Sequence, residues 1–146
     1  MNTESNKQIV IRSRAVIVHE NKLLVVAIGN HGFYALPGGH VDWGEDIQIA
    51  LKRELVEELG IEPVIGRLLY VNNFTEKDAV QSVEFFFEVT NTEDYLDVDN
   101  LKGTHSFELS EICWVGADSN PNILPKPLQA DLKNNAILSD TVRFLG

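Results

Sequence analysis

Residues 46–59, "DIQIALKRELVEEL", constrain the fold more than any other stretch of the chain. Ile47, Leu51, Leu55 and Leu59 recur every four residues with Ala50 beside them. At 3.6 residues per turn these positions form one apolar stripe. Glu45 and Asp46 suit the positive N-terminal end of such a helix, and Gly60 stands where a left-handed residue would stop it. A helix with one apolar stripe must lie on something apolar, and the rest of the chain offers strands. "IVIRSRAVIVHE" (9–20) and "LLVVAIG" (23–29) flank a short turn and are expected to pair as a hairpin. "FYAL" (33–36) reads as a short strand that Pro37, Gly38 and Gly39 stop. Residues 63–76, 79–91 and 111–116 read as three further strands. Residues 92–105 read as an acidic loop, and 119–125 as another loop. Residues 126–138 read as a second helix with Leu128, Leu132 and Ile137 inward, and "TVRFLG" as a short last strand. Residues 1–8 read as a polar tail before one domain over 9–146. Many strands with two helices predict a mixed sheet flanked by helices, an α/β class.

Composition narrows the function. A chain of 146 residues, 44% hydrophobic, can bury a core of its own. Its formal net charge of −10 argues against binding a nucleic acid duplex. An anionic small molecule would need local cations, from arginine or from metal. No apolar run reaches the ~18 residues of a membrane-spanning helix, and the polar start "MNTESNKQ" has no signal-peptide core. The sole cysteine, Cys113, excludes an intrachain disulfide and reads as core filler beside Trp114. A cytoplasmic setting is the expectation.

The 46–59 helix carries an anomaly. Glu54, Glu57 and Glu58 are related by three and four residues, so they share one face, beside the leucine stripe. Glu54 and Glu58 repel each other by roughly 0.2–0.5 kcal/mol. Glu57 and Glu58 also sit at the negative end of the helix, at a cost of roughly 0.3–1 kcal/mol each. Arg53, one turn before Glu57, is the cation placed to relieve them. A solvated acidic face is one reading; a site for hard divalent cations such as Mg²⁺ or Mn²⁺, which take oxygen ligands, is the other. The glycine-rich connection before the helix, with Gly38, Gly39 and Gly44, favours the second by letting backbone approach a ligand.

Gly39, Glu45, Arg53-Glu54-Leu55, Glu57-Glu58 and Gly60-Ile61 stand at fixed spacing. Together they resemble the Nudix box at every defined position. With each residue type used at roughly 5–7%, chance would match these identities on the order of once in a hundred million start sites, so the pattern outweighs any lone glycine motif. The resemblance implies a Nudix-like α/β/α sandwich around a mixed β-sheet. It implies hydrolysis of a nucleoside diphosphate linked to another moiety, such as ADP-ribose, a nucleotide sugar, a dinucleoside polyphosphate or a nucleoside triphosphate. It implies Mg²⁺ or Mn²⁺ held by Glu54, Glu57, Glu58 and the carbonyl of Gly38. Arg53 would orient the glutamates, and Glu45 would brace loop and helix, while Gly39 and Gly60 would serve the backbone. Among similar proteins the base comes from the box helix or from a later loop. Glu54 is the candidate in the first place, and Glu84, Glu108 and Glu111 in the second. Homodimers are frequent among similar proteins, which leaves a homodimer among the expected states.

Outside the box the substrate contacts are candidates only. Arg12 and Arg14 share a strand face and suit phosphate, Arg14 in particular. Phe33 or Tyr34 could stack on a base; Asn72, Asn73 and Phe74 could line a cleft; His40 and Trp43 lie in the glycine-rich loop. The alternative to an enzyme is a Nudix-fold regulatory module that senses a nucleotide without turning it over.

Overall fold

The computed structural model describes residues 6–76 and 79–145, so most of the expected N-terminal tail lies outside the described residues. Its strands are β1 (Gln8–Val16), β2 (Val18–His19), β3 (Lys22–Ala27), β4 (Gly38–His40), β5 (Ile65–Glu76), β6 (Val80–Val89), β7 (Glu111–Gly116) and β8 (Arg143–Phe144). Its helices are α1 (Ile47–Leu59) and α2 (Lys126–Lys133). A five-stranded sheet runs in the order β4-β1-β6-β5-β8, and a three-stranded sheet in the order β2-β3-β7. The larger sheet is mixed: β1–β6 and β5–β8 are parallel, β1–β4 and β5–β6 antiparallel.

Two apolar cores lie on opposite faces of these sheets, and successive residues of one strand feed each in turn. Leu23 and Val25 pack with Leu128 and Leu132 of α2, whereas Leu24 packs with Leu51, Leu55 and Leu59 of α1. Phe86 belongs to the first cluster and its neighbour Phe87 to the second. A strand's side chains alternate in direction, so a sheet covered on both faces needs a continuous apolar run. "LLVV" in β3 and "FFF" in β6 are such runs.

The box helix begins and ends as its sequence requires. The carboxylate of Asp46 accepts from the backbone N–H of Gln48 at 2.8 Å and of Ile49 at 3.2 Å. Gly60 takes φ 80° and its N–H closes onto the carbonyls of Leu55 and Val56. A Cβ on Gly60 would collide with the carbonyl of Lys102, so the 102–105 segment lies across the helix end.

Four expectations are corrected. The 9–20 run is not one strand paired with 23–29. Both edges of β1 are taken, by β4 and β6, so only its continuation β2 pairs with β3, around a turn where Glu20 and Asn21 have positive φ. Residues 33–36 make only isolated bridges, and the strand lies at Gly38–His40, where a stop was expected. Gly38 pairs opposite Arg14, and a Cβ there would overlap the carbonyl oxygen of Ser13; its φ of 138° also disfavours any other residue. Residues 92–105 are not all loop: Thr92–Tyr95 and Val98–Asn100 form short 3-10 turns, Tyr95 and Leu101 are buried, and Tyr95 Oη donates to the carbonyl of Ile61 at 2.9 Å. The second helix stops at Lys133, and Ile137 reaches the core from the irregular segment after it.

Candidate active site

The acidic face of α1 meets the glycine-rich strand β4. Glu58 is buried, and its Oε1 accepts from the N–H of Gly38 at 2.9 Å. Burial pushes the Glu58 carboxyl up to about 7, against the pull of the Gly38 N–H and the Arg14 guanidinium. Burial likewise raises the carboxyl of Glu54, opposed by its hydrogen bond from Arg53. Glu54 lies so close to β4 that a Cβ on Gly39 would stand 2.6 Å from its carboxyl carbon. Only glycine lets the strand approach the acid to this degree.

Arg53 gathers the cluster. It forms a two-pronged pair with Glu45 (Nε to Oε2 2.8 Å, Nη2 to Oε1 3.0 Å). Its Nη1 donates to Glu54 at 3.1 Å and to Glu57 at 3.2 Å, and its Nη2 to the carbonyl of His40 at 3.0 Å. The Arg53 bond and the N–H of Asp42 hold the Glu45 carboxyl down at about 2. Glu45 therefore fixes the guanidinium, and the guanidinium fixes the orientation of Glu54 and Glu57. His105, which nothing in the sequence pattern marks, sits 3.3 Å from Glu57 by Nδ1, while its N–H donates to the Glu57 carbonyl at 2.6 Å.

These groups open into a cavity of about 850 Å³ that Gly38, Gly39, His40, Glu54 and Glu58 line at one end. Arg12 and Arg14 line its wall, and apolar groups including Phe33, Phe74 and Leu124 line it elsewhere. Arg14 Nε donates to Glu84 at 2.9 Å and its Nη1 to the carbonyl of Leu36 at 3.1 Å, which leaves Nη2 for a ligand. Arg12 is held by Ser82 and by Glu76. Burial and the two arginines push the imidazole of His40 down, toward its neutral form. Glu57 does not itself line the cavity; it is paired with Arg53 and His105.

The aromatic pair divides. Phe33 lines the cavity, but Tyr34 packs against the α2-side core and donates from Oη to Glu111. Neighbours in extended backbone face opposite ways, so one ring can reach a ligand and the other cannot. Of the later acids, Glu84 and Glu108 line the cavity, while Glu111 is occupied with Tyr34 outside it. Trp43 is fully exposed and does not line the cavity.

Residues 10–136 match the model of the NUDIX domain. The chain belongs to the Nudix family. It is 33% identical over 103 residues to the ADP-ribose pyrophosphatase of Methanocaldococcus jannaschii, a match that takes in 66% of this chain and 60% of that protein. The fold superimposes on a MutT NUDIX hydrolase from Burkholderia pseudomallei with a TM-score of 0.68, at 23% identity, covering 87% of this chain and 98% of the other. An ADP-ribose pyrophosphatase from Streptococcus suis 89-1591 gives a TM-score of 0.63 at 22% identity, covering 92% and 98%. At these identities the two structures speak to the Nudix fold alone. The mixed sheet and its two helices are thus those of the family.

Nudix hydrolases generally use divalent metal ions. Among the described residues no three His, Cys, Asp or Glu side chains form a ready metal cage. Glu54 and Glu57 are turned to Arg53 and Glu58 to Gly38. The donor set nonetheless fits a hard cation. It consists of carboxylate oxygens, two of the three acids are destabilised by burial, and the Gly39 cradle leaves the Glu54 face open to the cavity.

Proposed function

We propose that this chain is a pyrophosphohydrolase that cleaves a phosphoanhydride bond in a nucleoside diphosphate linked to another moiety, with ADP-ribose the first substrate to try. The observation that carries the reading is the closed set of Glu54, Glu58, Gly38 and Gly39 at one end of the cavity, with Arg14 along its wall. The name of the archaeal relative supports ADP-ribose within that class. Glu54, Glu57, Glu58 and the Gly38 carbonyl would hold Mg²⁺ or Mn²⁺. When bound there, such an ion lowers the pKa of a coordinated water and offsets phosphate charge. The remaining work belongs to the chain. Arg14 Nη2 binds a phosphate oxygen, and Glu84 and the Leu36 carbonyl keep that guanidinium in place. Arg53 and Glu45 set the directions of Glu54 and Glu57. The proton of the attacking water goes to Glu54, and Glu108, a later acid that also lines the cavity, is the second candidate. Phe33 supplies apolar surface for the nucleoside.

The test is release of phosphate or nucleoside monophosphate from ADP-ribose, a nucleotide sugar, a dinucleoside polyphosphate and a nucleoside triphosphate. Each is assayed with Mg²⁺ and with chelator, beside Glu57→Gln and Glu58→Gln. Metal-dependent turnover that both substitutions suppress is expected. Turnover indifferent to chelator would end the metal reading. Nucleotide binding without any turnover would instead identify a sensor module.

A further inference from the structure

Asn72 and Glu84 form a pair of which the hydrolytic reading uses only the bond from Arg14 to Glu84. They face each other across β5 and β6, both nearly inaccessible to solvent and both lining the cavity. Glu84 Oε2 accepts from Arg14 Nε at 2.9 Å, and its Oε1 accepts from Asn72 Nδ2 at 3.1 Å. A carboxylate in an ion pair with a guanidinium has no proton to give, so it can only accept. Asn72 must therefore turn its NH₂ to Glu84 and its carbonyl oxygen away. An amide is otherwise free to flip, since its two ends have the same shape. Here the flip is chemically fixed, and among the described residues no group donates to Asn72 Oδ1. The cavity wall thus presents an oriented acceptor to a ligand that enters.

Its place in the sheet indicates which part of a ligand it meets. The order β4-β1-β6-β5 is a ruler that starts beside the acids of α1. Arg14 is on β1 and Asn72 on β5, two strand spacings away, or about 10 Å at roughly 4.8 Å per strand. That is the reach from a nucleotide's phosphates to its base edge. The neighbouring cavity walls, Phe74, Phe86 and Leu145, are apolar and suit a flat ring.

We propose that Asn72, held in one orientation by Glu84, selects a nucleobase that presents an amino group there, as adenine does, over one that presents a carbonyl. The proposal rests on the nucleotide reading above and names the base class within it. A carbonyl edge would set two acceptors against each other, and an edge with no polar group would leave Asn72 Oδ1 unpaired. The relay also predicts an inversion. In Glu84→Gln, Arg14 Nε takes the Gln oxygen, and the Gln NH₂ then points at Asn72. Asn72 must flip to accept it and so shows its own NH₂ to the cavity.

The probes are ADP-ribose and its counterparts carrying hypoxanthine or unsubstituted purine. They are compared by equilibrium binding calorimetry and by kcat/KM with Mg²⁺. Wild type should prefer adenine over both by roughly tenfold to a hundredfold. Glu84→Gln should reverse the adenine-to-hypoxanthine ratio, and Asn72→Leu should bring all three probes within about threefold, each variant being checked by thermal melting. Equal binding of the three probes to wild type would overturn the proposal, as would a folded Glu84→Gln protein with the wild-type preference. Preference in binding without turnover would leave Asn72 as the selector and remove the hydrolase reading instead.

Discussion

Replacing Gly38 and Gly39 by alanine, one at a time, should separate what holds this fold from what arms its site. At Gly38 the new methyl group meets backbone, namely the carbonyl of Ser13 in β1, and the φ of 138° is itself hostile to a side chain. Backbone strain of this kind costs roughly 1–3 kcal/mol. Displacing β4 would also disturb the bond from the Ala15 N–H to the Pro37 carbonyl, at about 1 kcal/mol. Together they come to about 3 kcal/mol, and at roughly 2–5 °C per kcal/mol for a chain of this size the melting temperature should fall by about 6–15 °C. At Gly39 the φ is ordinary, and the methyl meets only the tip of Glu54, 2.6 Å from its carboxyl carbon. A side-chain tip can move aside for about 1 kcal/mol or less, so melting should drop by no more than about 5 °C. The carboxyl, however, is pushed off its position by about 1 Å, a displacement that costs on the order of a hundredfold in turnover. Differential scanning fluorimetry and kcat/KM on the same preparations give both numbers. If Gly39→Ala melts as early as Gly38→Ala while turning substrate over normally, the division of labour between these two glycines is refuted.

Three further outcomes follow from other contacts. Glu45 has a folded-state pKa of about 2, below its ordinary value of 4.5, so its pairing with Arg53 stabilises the protein above pH 4.5 and is lost as pH falls from 4.5 toward 2. Glu45→Gln should flatten that part of the melting-temperature profile; an unchanged acid limb would refute the assignment. For Glu58 the sign is opposite: its carboxyl is raised to about 7, so without metal its burial costs stability as pH rises from 4.5 through 7. Glu58→Gln should melt higher than wild type at pH 8 in chelator, yet be inactive, and a lower melting point there would contradict the burial argument. Tyr34→Phe should leave kcat/KM within about twofold and cost about 1 kcal/mol, since the bonds lost, to Glu111 and to Cys113, involve residues that do not line the cavity. Phe33→Ala should raise KM instead, and equal kinetic effects would contradict the opposed directions of the two rings.

The box helix was legible because everything that defines it is local. Its stripe, its Asp46 cap, its Gly60 stop and its acid face all fall within one run of residues. The split of the first strand was not, because it depends on β6 claiming an edge of β1 from 72 residues away, a pairing that alternation alone does not register. Gly38 and Gly39 read as a stop because glycine usually marks a turn; here it marks close approach, to Ser13 and to Glu54. Phe33 and Tyr34 were legible as a pair but not as individuals, since nothing local says which of two alternating side chains faces the cavity. Asn72 was legible as a candidate to line a cleft, as it does, but not in its orientation. Its orientation is set by Glu84, and Glu84 in turn by Arg14, a relay that exists only once three strands lie side by side.

Because adjacent residues of β6 serve opposite cores, that strand works like a reading frame. A single inserted or deleted residue in it would exchange the partners of Phe86 and Phe87 and swing Glu84 out of the cavity in the same stroke. Substrate preference can drift in this chain by exchanging one side chain for another, but variation in length is confined to the connections between strands, where no count is kept.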